Sequence, residues 1–384
     1  MRHQNKLMQS NILSILLKNQ SILFKINILN LREEENAWKT YFLKLTQIPV
    51  LFLFSFFLFS CRDKEKSEPQ KIEISPGNMV MVCNEGNFRW GNASVGLLNL
   101  TTQKWTEDAF KTVNNRNLGD VFQSATFWNN AWWLVVNNSA KIEVVSSNDF
   151  SVQKTVTGFI SPRFLLPINE LKAYISDIYA NKIWILNSSS SAPSGSIPFP
   201  GWSEEMILSG NMAWIVCPRK AKVFIINTNN DQLEDSVSLP GNSTSIAISK
   251  SGKVWVGFDS SATKTSGIAL INPITRLTEK LIFSNVRNSY PSHFQTSASK
   301  DSLFFLQNGV FMIRENENEF PTTNFAQGLT GNWYGMGFDP KYREIYLSDA
   351  KDYQQKSRIV RINAEKNSKI ELQGGIISSR FYFW

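Results

Sequence analysis

Trp132-Trp133-Leu134-Val135-Val136-Asn137 is followed, after a short polar step, by Lys141-Ile142-Glu143-Val144-Val145. The same phrase returns as Ala173-Tyr174-Ile175-Ser176-Asp177 with Lys182-Ile183-Trp184-Ile185-Leu186-Asn187, and as Ala213-Trp214-Ile215-Val216 with Lys222-Val223-Phe224-Ile225-Ile226-Asn227. Each phrase reads as two apolar strands joined by a polar loop. The aromatics Trp133, Tyr174, Trp214 and Trp255 recur about every 40 residues, the length of chain that a four-stranded propeller blade consumes. The period speaks for architecture and leaves the ligand open.

Working outward, Met81, Trp133, Tyr174, Trp214, Trp255, Phe305 and Tyr346 give seven strand anchors, with longer loops between the first two and around 259–302. Turn residues punctuate every unit: Asn129-Asn130, Gly210-Asn211, Ser251-Gly252, Asn272-Pro273. The end of the chain, Phe381-Tyr382-Phe383-Trp384, is too aromatic for a free tail. It is expected to pair with Met79–Val82, because only closure removes the exposed edges of the first and last sheets. The fold expectation is therefore all-β: a seven-bladed β-propeller over 78–384, closed by pairing of the N- and C-terminal strands.

The formal charge of +8 is mild and comes without a Lys/Arg cluster, so no nucleic-acid footprint is read. Three cysteines are too few for a disulfide framework, and Cys83 and Cys217 read as buried thiols whose pairing the sequence leaves open. Residues 49–60 form an apolar run preceded by Lys39 and Lys44, short for a membrane span and right for a secretory core. This gives an upstream, unstructured extension (1–37), a signal peptide (38–60) and a charged, flexible tether (61–77). Past that point His293 is the one histidine, which leaves no imidazole cluster for zinc and no support for a Ser-His-Asp triad. No phosphate-binding glycine loop is present. The chain is read as a binding protein, not an enzyme.

Leu58-Phe59-Ser60-Cys61 resembles the bacterial lipobox, which implies lipidation at Cys61 and an outer-membrane or cell-surface location. Asn84-Glu85-Gly86-Asn87-Phe88, Leu118-Gly119-Asp120-Val121, Val136-Asn137-Asn138-Ser139 and Ser161-Pro162-Arg163 resemble the YncE-like propeller lipoproteins of Bacteroidetes surfaces. Some of those capture cobalamin above a TonB-dependent transporter, so the resemblance implies a membrane-anchored protein with such a transporter and ligand as partners.

In a propeller, two sets of loops open on one face around the axis. Placed there are Glu85, Asn87, Asp120, Gln123, Asn138, Arg163, Asp177, Tyr179, Trp202, Arg219, Trp333, Tyr334 and Arg380. Aromatic faces beside amides and charges suit a large polar ligand such as a corrinoid, an oligosaccharide or a peptide. Glu204-Glu205 reads as a solvated pair. No cofactor is required. Calcium held by oxygen donors from Glu85, Asp120, Asn138 and Asp177, as in lactonase-type propellers, is the alternative and would make the chain a hydrolase. A protein-binding surface scaffold is the second alternative.

Overall fold

Period-two apolar patterning bounded by Asn, Asp and Gly turns produces twenty-seven short strands, β1 to β27 in chain order, among the described residues. The computed structural model describes residues 70–259, 265–286, 288–363 and 368–384. The extension 1–37, the signal peptide and Cys61 lie outside the described residues. Part of the expected tether does not: Ile72 and Ile74 pack on the core beside Met79 and Phe110, and Asn99 Nδ2 donates to the Glu73 carbonyl at 3.2 Å. The tether boundary therefore moves toward Cys61, because two isoleucines find an apolar surface to cover.

The strands build a β-propeller. All seven anchors fall within strands of the repeat units and are 0–2 % exposed. Seven apolar clusters fill the interfaces between consecutive units, among them Trp132 with Met81 and Phe122, Trp214 with Ile246 and Val256, and Phe381 with Val80 and Tyr346. The core is thus a ring of layers between sheets. Closure is as expected: β1 (Met79–Asn84) pairs antiparallel with β27 (Ser378–Phe383), Val80 opposite Phe383 and Cys83 opposite Arg380. Trp384 adds backbone bonds to Met79 at 2.9 and 3.2 Å and sets its indole against Trp132, ring centroids 5.0 Å apart.

Seven separate blades are not what the hydrogen bonding gives. Among the described residues five sheets stand alone, four of four strands and one of three, and the remaining eight strands form one continuous sheet. The cause is local. β23 (Trp333–Asp339) reads Trp-Tyr-Gly-Met-Gly-Phe-Asp, and a Cβ at Gly335 would stand 2.2 Å from the Ser379 carbonyl oxygen, one at Gly337 2.5 Å from Cβ of Phe381. Without those side chains β23 approaches β27 closely enough for a parallel pairing at Met336 and Arg380, which fuses the first and last units. The three-stranded sheet ends at β22 (Val310–Arg314). There Asn324, Phe325 and Glu317 cap the edge through Val310 and Arg314 backbone groups in place of a fourth strand.

Candidate functional site

The innermost strand of most units enters from one face with an irregularity of register. In β4 (Phe122–Trp128) it falls between Phe122 and Ser124, in β8 (Pro162–Pro167) between Pro162 and Leu165, and in β16 (Ser243–Ile248) between Ser243 and Ile246. In β20 (Ser292–Thr296) it lies between Ser292 and Gln295, in β23 between Trp333 and Gly335, and at the β1–β27 pairing beside Ser379. A bulge inserts a residue and re-aims its side chain. The residues so freed, Gln123, Arg163, Thr244, His293, Tyr334 and Ser379, all line one cavity on the axis, of roughly 540 Å³.

Charge organises its wall. Arg163 Nε donates to Glu204 at 2.9 and 3.0 Å and its Nη1 to Gln123. Arg380 Nη2 reaches Glu205 at 2.8 Å, joining the closing strand to a loop far along the ring. Ser245 Oγ donates to the other Glu205 oxygen at 2.5 Å, and the Arg380 guanidinium lies 4.6 Å from the Phe164 ring centre. Glu204 and Glu205 are therefore not a solvated pair: each side chain is 14 % exposed and holds its own arginine. Sequence neighbours diverge here because a loop residue and the next one face different units.

Glu85 also lines the cavity and accepts the Tyr334 hydroxyl at 3.0 Å. Burial pushes its carboxyl up, and the bond from Tyr334 and the nearby Arg163 and Arg380 offset only part of that. Burial, assisted by the positive charge of Arg380, pushes the His293 imidazole down to about 3, so it is neutral at physiological pH. His293 has φ +54°, a strained backbone for a non-glycine residue, and its Nδ1 lies 3.2 Å from Ser292 Oγ.

Of the residues expected at the site, Glu85, Gln123, Arg163, Trp333, Tyr334 and Arg380 share this cavity. Tyr179, Trp202 and Arg219 form a separate stack: the guanidinium lies 3.5 Å over the Trp202 ring, which meets Tyr179 edge-on at 5.8 Å. Asn87, Asp120 and Asn138 bind neighbouring loops. Asn87 Nδ2 donates to the Tyr353 carbonyl at 2.7 Å, and Asp120 accepts the Arg89 N–H at 2.7 Å and the Asn138 amide. Asp177 is a correction. It is 0 % exposed, with Oδ2 accepting the N–H of Ile160 and Ser161 and Oδ1 those of Tyr179 and Ala180, at 2.9–3.1 Å. It clamps the loop between units and is not among the residues that line the cavity.

Asp259 and Asp349 repeat the clamp, accepting the N–H of Asn242 and Asn332 at 2.9 Å. Of the donors considered for calcium, Asp120 and Asn138 are bonded to each other, Asp177 clamps its loop, and Glu85 alone lines the cavity. No group of three or more His, Cys, Asp and Glu side chains is placed to hold a metal ion among the described residues. What the sequence reading missed, Glu205, Thr244 and Ser379 as cavity wall, carried a faint signal. Polar residues recur near 123, 163, 204 and 244, at the blade period, just where each innermost strand begins.

A family model described as a domain of unknown function, DUF5074, matches residues 78–383. No curated protein matches the sequence. Among solved structures, a quinonprotein alcohol dehydrogenase-like protein from Bacteroides thetaiotaomicron superposes with a TM-score of 0.62 at 12 % identity, over 80 % of this chain and 78 % of that one. The periplasmic gluconolactonase of Pseudomonas aeruginosa gives 0.60 at 10 % identity, over 79 % and 99 %. At such identities these likenesses establish the propeller scaffold and nothing about chemistry.

Proposed function

We propose that this chain, which belongs to the DUF5074 family, is a non-catalytic ligand-capture propeller that takes a large polar ligand at its axial mouth. The observation that carries the reading is the convergence of bulged side chains from successive units on one cavity of roughly 540 Å³. That size lies in the range of small-molecule sites. The wall offers hydroxyls (Thr244, Ser292), amides (Gln123, Asn308) and rings (Trp333, Tyr334), a set that orients a ligand by hydrogen bonds while rings supply contact area.

No nucleophile with an activated base accompanies them among the described residues. The neutral His293 is too weakly basic, and the oxygen donors of the calcium-dependent reading do not converge: Asp177 is closed in its loop, Asp120 bonds Arg89 and Asn138, and Glu85 alone faces the cavity. Lipidation at Cys61 would hold the ring at the cell surface, with a TonB-dependent transporter as the partner that receives the ligand. We count the ring as seven-bladed, the eight-stranded sheet supplying two blades, which the seven inter-unit apolar clusters support.

A corrinoid is the named candidate, being broad, flat and fringed with amides. Calorimetric titration of the protein with cyanocobalamin is expected to give saturable heat, weakened tenfold or more, by the usual worth of a buried aromatic contact of ~1.5 kcal/mol, in Trp333→Ala. Absence of heat at micromolar protein rejects the corrinoid. Unchanged affinity in Trp333→Ala, for any ligand found, rejects the axial mouth.

A further inference from the structure

The arginines on the mouth face are of two kinds. Arg163, Arg358 and Arg380 hold carboxylates, at 2.9, 3.2 and 2.8 Å. Arg89 and Arg219 hold none among the described residues and lie on aromatic rings instead. Arg89 leans on its sequence neighbour Phe88, 5.2 Å from the ring centre. Arg219 is placed by tertiary structure: its guanidinium lies 3.5 Å over Trp202, the shortest cation–ring distance among the described residues.

Three loops fix that stack in advance of any ligand. The Lys220 N–H donates to the Cys217 carbonyl at 2.9 Å and closes a turn with Pro218 and Arg219 at its centre. Ser203, next to Trp202, is 0 % exposed, and its hydroxyl accepts the Asp177 N–H at 2.8 Å and donates to the Asp177 carbonyl at 3.1 Å. Tyr179 meets the indole edge-on, and its own N–H donates to the Asp177 carboxylate at 3.0 Å.

Charge in this sector has one sign to offer. A guanidinium lying flat on an indole keeps its in-plane N–H groups turned outward, the fork that matches a carboxylate or a phosphate. Arg219 and Lys220 are both exposed, and Lys220 too is without a carboxylate among the described residues. The acids on the same loops are occupied. Glu204 pairs with Arg163, and Asp177 takes four backbone N–H groups and the Trp184 indole N–H. The stack borders the axial cavity, because Pro218 and Glu204, one residue from Arg219 and two from Trp202, belong to the wall.

Resting on the capture reading above, we propose that the Trp202–Arg219 stack is an oxyanion subsite at the rim. A ligand seated in the cavity lays a carboxylate or a phosphate on the Arg219 fork, with Lys220 as the second cation and the exposed ring of Tyr179 as flanking surface. A guanidinium already held on a ring gives up little freedom when it pairs, so the site is preorganised for that contact.

Three compounds test the point by calorimetric titration. Trigalacturonate carries carboxylates, cyanocobalamin carries a phosphodiester, and methyl-esterified trigalacturonate is the uncharged match of the first. Trigalacturonate or cyanocobalamin is expected to bind and to lose about fivefold or more in Arg219→Gln, the scale of one exposed charge-assisted contact, while the ester is unaffected. Whichever charged compound responds identifies the oxyanion. Arg219→Lys keeps the charge without the fork and is expected to restore only part of the loss. On the unaltered protein, added sodium chloride is expected to weaken the responding compound and spare the ester, which needs no variant to fold.

A charged compound whose affinity falls in Trp333→Ala but holds in Arg219→Gln overturns the rim subsite and leaves axial capture standing. The ester binding as tightly as trigalacturonate, with cyanocobalamin indifferent to Arg219→Gln, overturns it as well. Silence from all three compounds overturns it together with the corrinoid reading.

Discussion

Phe381→Ala tests whether closure holds the ring. Phe381 sits on β27 and is 3 % exposed, packed with Val80, Val82, Leu98, Tyr346 and Ile359. Its ring centroid is 5.7 Å from that of Tyr346, and its Cβ occupies the space that Gly337 leaves open. It therefore fills the interface that joins the first unit to the last. Truncation removes the ring and leaves a cavity between two fused sheets that cannot relax without parting the β23–β27 pairing. A buried Phe→Ala change of this kind costs roughly 3–5 kcal/mol. With an unfolding entropy of ~2.1 cal/mol/K per residue, a domain of roughly 300 residues has about 0.6 kcal/mol/K, so Tm is expected to fall by about 5–8 °C. The assay is thermal unfolding followed by tryptophan emission, with Ile370→Ala as the comparison, since Ile370 is 49 % exposed on the last strand before the closing one. A Tm shift for Phe381→Ala no larger than that for Ile370→Ala would refute the argument that the closing layer is a principal support of the ring.

Glu143→Gln is expected to destabilise by roughly 2–3 kcal/mol, below the usual figure for breaking a buried pair because one partner, Arg116, is 41 % exposed. Burial alone would raise the Glu143 carboxyl, but hydrogen bonds from Arg116, Lys141 and Thr155 outweigh it and hold the group below its ordinary value. Its contribution is thus present above the unfolded carboxylate range and lost as pH falls through the lowered native value. Urea midpoints measured from neutral to acid pH should converge for the two proteins at the acid end. Cys83 and Cys217 are free and 0 % exposed, and burial pushes both thiols up. A disulfide-exchange reagent is expected to label neither in the native state and both after denaturation, and rapid native labelling of either would show the packing to be looser than described.

The legible part of the fold was the part governed by local pattern. Trp133, Tyr174, Trp214 and Trp255 stand at blade spacing in apolar strands, so strand identity and the repeat follow from alternation and turns alone. The aromatic end of the chain disclosed closure because four consecutive rings have to be buried somewhere. The site was legible by halves. Arg163, Trp333, Tyr334 and Arg380 fall together on one cavity because strand starts on one face of a propeller turn toward the axis. Asp177 was misjudged because an Asp at the end of a strand looks the same whether it bonds a ligand or the backbone N–H groups of Ile160 and Ser161.

By itself, the sequence determined that this chain is a repeat of short strands sealed by its own last residues, since burial of alternating apolar side chains is a property of each segment. Tertiary structure decided the rest. The Arg380–Glu205 contact joins residues far apart in the chain, the glycines at 335 and 337 have meaning only against Ser379 and Phe381, and the bulges that aim Gln123, Arg163 and His293 inward are set by pairing register. Charge pairing and close approach depend on distances between units, which closing the ring creates and no local stretch encodes.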